Sequence, residues 1–394
     1  MATTFKTFLN GDVTNARTLL HEAIPITGTI VSGTYNSEGT GDEYNIKNYS
    51  HGMFQSVYDY PYLSSSANHI FDITCGYSSD SSLSGTSETT QQAKKINIYN
   101  QMAQVLMGHD QDGNIQKFDR DGNIAGGGTK ISEAFFMNFA RLLVKDEIKK
   151  GSFEVVLYTG SGGAELGAGD GDPLNPNNSL DPDQSLYSGS ALTISDYGAV
   201  NSYKVNSPAG EYGLLYTSSA TPNTESGVGL LFYQAGVAVL TASIFSNEPT
   251  TGHIEGTTKN WCNFGDFTDV RVGGTANQRE NGVVGCLTGS TIQVFGGGVR
   301  HRLKNIQFNN TTELNSTIYF CRVNHNDFNY SSNPTYLSAS QIRCKEVPQD
   351  TPVTYITTVG LYSADNALLA VAKLSEPLKK DPTNELTLRV RLDY

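Results

Sequence analysis

Two Asp-x-Asp-Gly units lie nine residues apart in this chain, Asp110-Gln-Asp-Gly-Asn-Ile and Asp119-Arg-Asp-Gly-Asn-Ile. Carboxylates so spaced suit calcium, a hard cation that collects oxygen ligands. Neither unit has the further oxygens and closing Glu of an EF-hand loop. Asp-Gly and Gly-Asn are also strong turn formers, so successive hairpin turns are the better account of the repeat. A second oxygen-rich set, Asp170, Asp172, Asn175, Asn177, Asp181 and Asp183, falls in the Gly/Asp/Pro/Asn segment 160–189. It could hold Ca²⁺, but unpaired acidic residues favour water, and a solvated loop insertion is expected. His325-Asn-Asp327 beside Tyr330 offers acid/base groups; side-chain hydrogen bonds fixing an Asn-rich loop before Pro334 explain them more simply.

The compact basic group is Arg300, Arg302 and Lys304. On a strand, alternate residues share a face, which would point all three at carboxylates of a neighbouring subunit or at phosphate. Aromatics recur densely at Tyr49, Phe54, Tyr58, Tyr60 and Tyr62, and the sole tryptophan is Trp261. Tyrosine-rich surface is common at protein interfaces, because the ring buries area while its hydroxyl stays hydrated. The sequence holds neither Gly-x-Ser-x-Gly, nor His-Glu-x-x-His, nor a Gly-x-x-x-x-Gly-Lys-Ser phosphate loop. No catalytic, cofactor-binding or metal site is therefore expected, and the chain reads as a non-enzyme.

The elements that must carry these residues are mostly strands. The chain has 394 residues with 40 Gly, 38% hydrophobic and 17% charged residues, a composition that fits folded, turn-rich β structure. The reading is mainly β: antiparallel sheets or β-sandwich domains, one or two short helices, and long Gly/Ser/Asn-rich loops. Three regions are expected: 1–150, an α+β assembly region; 151–299, β-rich with loop insertions; and 300–394, an antiparallel β region that can pack with the middle one. Helical turns are expected over Asn15–Ala23 and strand over Thr27–Tyr35. Helical spacing of Ile96, Tyr99, Ala103 and Leu106 predicts a helix over 91–107 capped by Thr89 or Thr90. Glu133–Leu143 leans to strand, Lys145–Gly151 to a helical turn, and 152–158 to strand. Val228–Tyr233 and Gly236–Phe245 predict a buried hairpin covered on both faces. Segment 246–298 reads as a loop excursion. Three terminal runs, 352–362, 366–375 and 385–394, read as strands of a small antiparallel sheet; the first and last alternate as half-buried strands do, with Arg389 and Arg391 outward.

A formal charge of −12 argues against general nucleic-acid or anionic-membrane binding, which draws on clustered Lys and Arg. The five cysteines, Cys75, Cys262, Cys286, Cys321 and Cys344, are odd in number and lack a CxxC pair, so reduced thiols are expected. The start lacks the apolar core of a signal peptide, and no run is long enough to span a bilayer. Synthesis in a cytoplasm is the expectation.

The phrase Asn310-Thr-Thr-Glu-Leu-Asn-Ser-Thr-Ile-Tyr-Phe-Cys-Arg-Val-Asn-His-Asn-Asp-Phe-Asn-Tyr, with the later Thr-Val-Gly-Leu-Tyr and Leu-Leu-Ala-Val-Ala-Lys-Leu runs, resembles virion structural proteins of contractile-tailed bacteriophages, particularly T-even-like phages of marine cyanobacteria. The resemblance extends to Leu20-His-Glu-Ala-Ile-Pro-Ile and to the aromatic stretch from Tyr49. It implies a place in the particle, in the tail, baseplate or neck, with other virion proteins and copies of the same chain as partners, in a homo-oligomer. It supplies no catalytic residue. The rival reading is a receptor- or carbohydrate-binding protein at a fibre tip, and a weaker one is a glycan-cleaving enzyme with two carboxylates across a groove.

Overall fold

In a computed structural model the protein is described at residues 5–32, 44–81, 84, 89–123, 129–158, 191–217, 227–245, 292, 296, 299–300, 303–330, 337–338, 341–342, 349 and 351–394. Trp261, Arg302, the cluster 170–183 and Cys262, Cys286 and Cys344 lie outside them. The fold is mainly β, as the composition predicts. In chain order the elements are β1 (Val13–Thr27), α1 (Gly28–Ser32), β2 (Ile46–Asn48), β3 (Gln55–Tyr58), β4 (His69–Tyr77) and α2 (Thr90–Leu106). Next come β5 (Phe118–Asp119), β6 (Lys130–Ile131), β7 (Glu133–Phe139), α3 (Arg141–Val144), β8 (Glu147–Ile148), β9 (Glu154–Tyr158) and β10 (Ala191–Ser195). Then follow α4 (Ala199–Ser202), β11 (Tyr212–Tyr216), β12 (Gly227–Phe232), β13 (Val237–Thr241) and β14 (Leu303–Val323). The last are β15 (Leu337–Ser338), β16 (Gln341–Ile342), β17 (Thr354–Tyr362), β18 (Leu368–Lys380) and β19 (Leu386–Asp393).

The chain divides into two compact units, 21–312 and 1–20 with 313–394, rather than at the expected 150 and 299. The physical reason is strand pairing. β7 runs antiparallel between β4 and β13, so the segments on either side of residue 150 share one sheet. In the larger unit the strand order is β14-β9-β10-β11-β12-β13-β7-β4-β3-β2. Every residue of β11, β12 and β13 is buried, so the central strands are covered on both faces and read as continuous apolar runs. The expected hairpin is there, Leu230 opposite Val239 and Leu231 opposite Ala238.

Helix α2 lies against β4. Its start is a reciprocal capping box: the Gln92 amide N–H donates to Thr89 Oγ1 (3.3 Å), and the Thr89 amide donates to Gln92 Oε1 (2.9 Å). Ile98, Tyr99, Ala103 and Leu106 turn inward. The approach is close enough that a Cβ on Gly76 would come within 2.5 Å of the Lys95 carbonyl oxygen, so β4 needs glycine there. The two Asp-Gly units are turns, as expected: Asp110 Oδ1 accepts from the amides of Asp112 and Asn114, and Asp119 Oδ1 from that of Asp121.

Three local expectations fail. Asn15–Ala23 lies within strand β1, because pairing with β14 supplies backbone partners that outweigh the helical look of Ala16, Leu19 and Leu20. The expected strand from Thr27 is instead α1, where Asn45 Nδ2 donates to the Ile30 carbonyl (2.8 Å) and Arg300 to that of Val31. The helical turn expected over Lys145–Gly151 comes earlier, at Arg141–Val144, where Lys145 takes a positive φ of 58° and β8 follows.

In the smaller unit, part of β14 pairs with β19, Tyr319 opposite Val390, while β17 and β18 form a two-stranded ribbon. The three terminal runs therefore do not form one sheet: β19 leaves the ribbon to pair with β14. The Asn-rich loop is fixed as expected, with Lys380 Nζ donating to the His325 carbonyl (3.1 Å) and to Asn329 Oδ1 (2.7 Å).

Candidate interaction surface

The larger unit's sheet ends at β2-β3-β4, and the row Lys47, Ser56, Asp72 crosses it in register. Directly opposed residues share a face. The alternate row, Ile46, Val57 and Phe71, faces inward and is buried, so period two alone sends Lys47, Ser56 and Asp72 to the other face. The aromatic residues gather over that face. Tyr49 stacks on His51 with ring centroids 5.0 Å apart and planes 13° apart, and Phe54 lies 4.7 Å from Tyr49 and 5.0 Å from His51. Tyr58 is 6.0 Å from Tyr62 and meets His69 edge-on at 5.5 Å. Lys47 Nζ bridges the groups, 4.8 Å from the Tyr49 ring and 5.8 Å from that of Tyr62.

Polar anchors hold the plate in place. His69 Nε2 is 2.8 Å from Asp72 Oδ1, Ser56 Oγ donates to the same oxygen, and Ser56 Oγ is 3.2 Å from the Tyr49 hydroxyl. The turn carrying Tyr49 and Phe54 is tied down by Lys94 Nζ donating to the His51 carbonyl (2.8 Å) and Thr74 Oγ1 donating to the Met53 carbonyl (2.6 Å). Burial, with Tyr49 and Asp72 beside it, raises the Tyr58 hydroxyl above its ordinary value, so it is a neutral phenol near pH 7. Ser56, His69 and Asp72 resemble a triad by type alone. Asp72 stands between the other two, whereas an activated serine needs the imidazole in the middle. The arrangement can stack and hydrogen-bond a flat partner; it orients rings rather than activating a nucleophile.

Of the sequence-predicted residues, Tyr49, Phe54, Tyr58 and Tyr62 converge here, and Tyr60 lies exposed in the same connection. The sequence reading missed Lys47, His69 and Asp72, which only the strand register brings together, and His51 in the connection between β2 and β3. The basic triplet is not a common strand face. Arg300 is helical and 0% exposed, its Nε donating to Gln55 Oε1 (3.0 Å) and its Nη1 to the Val31 carbonyl (2.7 Å); β14 starts only at Leu303. Lys304 is exposed on β14. Arg389 and Arg391 point outward on β19 as expected, and Arg391 Nε donates to Asp393 Oδ1 at 2.6 Å. Among the described residues no group of His, Cys, Asp or Glu could hold a metal ion. Cys75 is a buried thiol that burial pushes up to about 12, and Cys321 is half-buried.

Comparison with protein-family models, with curated proteins and with solved structures gives no match.

Proposed function

We propose that this chain is a non-enzymatic structural subunit of a tailed-phage virion, assembling through protein–protein contacts in the tail or baseplate, or the neck. The observation that carries the reading is the aromatic plate at the end of the larger sheet. Tyr49, His51 and Phe54 pack together and Tyr58 packs on Tyr62, the two groups bridged by Lys47 and held by Asp72, Lys94 and Thr74. Rigid aromatic rings with polar tips bury area on a partner at low entropic cost, the composition that marks interface anchors. The phrase-level resemblance of Asn310–Tyr330 and the terminal runs to phage virion proteins supports the same reading.

Gold-labelled antibody against the chain should decorate purified particles at one structural location. Particles free of the chain overturn the proposal. Specific binding of the isolated protein on a glycan array, with no decoration inside the tail, would transfer the aromatic plate to receptor recognition, since the same rings can stack on sugars.

A further inference from the structure

Strands β5 and β6 have two residues each, too few for their own pairing to hold a ribbon. Their register sets Phe118 opposite Ile131 and Asp119 opposite Lys130. Phe118 and Ile131 go into the core, the Phe118 ring meeting Tyr99 edge-on at 5.5 Å and lying 5.7 Å from Phe136. Period two therefore places Asp119 and Lys130 together on the other side, where Lys130 Nζ donates to Asp119 Oδ2 and to the Asn123 carbonyl (3.1 Å). The Asp119 side chain is fully buried and that of Lys130 is 30% exposed. In the other lysine–carboxylate pairs among the described residues, on Asp327, Asp80, Glu22, Glu147, Glu211 and Asp381, the acid keeps contact with solvent. A second acid completes the group: the Asp121 amide donates to Asp119 Oδ1 (3.0 Å), and the two carboxyls hydrogen-bond each other. Burial, and after it the Asp121 carboxyl, raises Asp119 above the usual carboxylate range, while the same hydrogen bond lowers Asp121. The shared proton thus sits on Asp119, which makes its Cγ an electrophilic acyl carbon, and leaves Asp121 as a base beside it.

We propose that Lys130 and Asp119 join in an intramolecular isopeptide bond, Nζ to Cγ, with Asp121 as the proton carrier. The Lys130 ammonium passes a proton to the Asp121 carboxylate, and the freed nitrogen pair forms the bond to Asp119 Cγ. The carbon–oxygen bond then breaks; the hydroxyl takes the proton back from Asp121 and leaves as water, and a second nitrogen proton goes to solvent. One amide and one water replace a carboxylic acid and an amine, and no oxidant or cofactor enters. Burial of the Asp119 carboxyl keeps water from Cγ and so opposes hydrolysis, while the part-exposed Lys130 side gives the water and the proton an exit. The bond would pin a ribbon that its neighbours already use. Arg120 Nε donates to the Gly227 carbonyl at the start of β12, and the Tyr212 hydroxyl of β11 donates to the Gly122 carbonyl. A covalent closure between residues 119 and 130 removes the chain freedom that would otherwise pull these contacts apart.

Mass spectrometry of the full wild-type chain, folded and then denatured, tests this without any variant. The chain is expected to lack the mass of one water. Trypsin should leave the chain uncut after Lys130, and the peptide holding Asp119 should stay joined to the one holding Lys130. Lys130→Arg keeps the charge but not the primary amine and should carry the full mass. Asp121→Asn keeps the side-chain size without the base and should form the bond at least about 100-fold more slowly after refolding. A wild-type chain at its full sequence mass overturns the proposal, as does a missing water that maps to peptides other than these two. An Asp121→Asn chain that loses water as fast as wild type overturns the proton transfer as written. The proposal does not rest on the virion reading, and none of these results bears on the particle-labelling experiment.

Discussion

Replacing Arg300 with methionine separates fold from assembly at a cation whose sequence context pointed to a partner. Its guanidinium is fully buried and donates to Gln55 Oε1 and to the Val31 carbonyl. Methionine keeps much of the stem volume, so the cavity is small, but both acceptors lose these donors. Each buried polar group left unpaired costs about 1–3 kcal/mol, which makes a combined loss of about 2–6 kcal/mol. Relief of the buried charge subtracts from this, which favours the lower half of that range. At roughly 2–4 °C per kcal/mol for a domain of this order, a loss of about 2–4 kcal/mol should lower the melting transition by about 4–16 °C. Scanning calorimetry at pH 7 reads this directly. Lys304→Met, on the exposed neighbouring strand position, should stay within about 0.5 kcal/mol of wild type. An Arg300→Met protein with unchanged melting but lost self-association would refute the structural role and restore the arginine to an interface.

Two further changes probe the fold beneath the aromatic plate and sheet. Burial raises the Asp196 carboxyl to about 6 from 3.8, against the Gly151 amide, the Tyr233 hydroxyl and the Phe153 amide that donate to it. A raised folded value means its protonation favours the fold: the contribution is full below about pH 4 and is lost as pH rises through about 6. At 1.36 kcal/mol per unit, wild type should gain about 3 kcal/mol on Asp196→Asn between pH 7.5 and pH 3.5; a gap in denaturant stability that stays flat with pH contradicts this. Thr89→Ala removes the oxygen that accepts from the Gln92 amide and should cost about 1 kcal/mol, seen as faster hydrogen exchange in the first turn of α2; unchanged exchange there would show that the cap does not hold the helix.

What the sequence made legible was whatever a short window decides. Helix α2 shows its period, its Thr89 cap and its inward residues within one stretch, and β12–β13 show a buried hairpin because an unbroken apolar run between turn residues has few other uses. The elements that were misread depend on distant partners. Gly28–Ser32 looks extended by its β-branched residues, yet a Cβ on Gly28 would come within 2.5 Å of the Leu303 carbonyl oxygen, and Asn45 and Arg300 hold the next carbonyls. Those contacts span up to 269 residues of sequence, which no local pattern records. The candidate surface divides the same way. Its tyrosines were visible as a dense run, whereas Lys47, His69 and Asp72 became part of it only through the register of β2, β3 and β4.

The charge distribution constrains what could lie against the aromatic plate. Because the formal −12 lies wholly between residues 21 and 312, two larger units brought face to face repel across any gap shorter than the Debye length, about 8 Å in physiological salt. The aromatic plate belongs to that acidic unit, yet it places Lys47 over the Tyr49 and Tyr62 rings and Lys94 on the His51 carbonyl. Asp72 lies in the same row as Lys47, so the patch is ring-lined and carries charges of both signs within an acidic unit. If the plate is a contact surface, as proposed, a second copy would meet the repulsion of the whole acidic unit, so a neutral or basic partner fits it better.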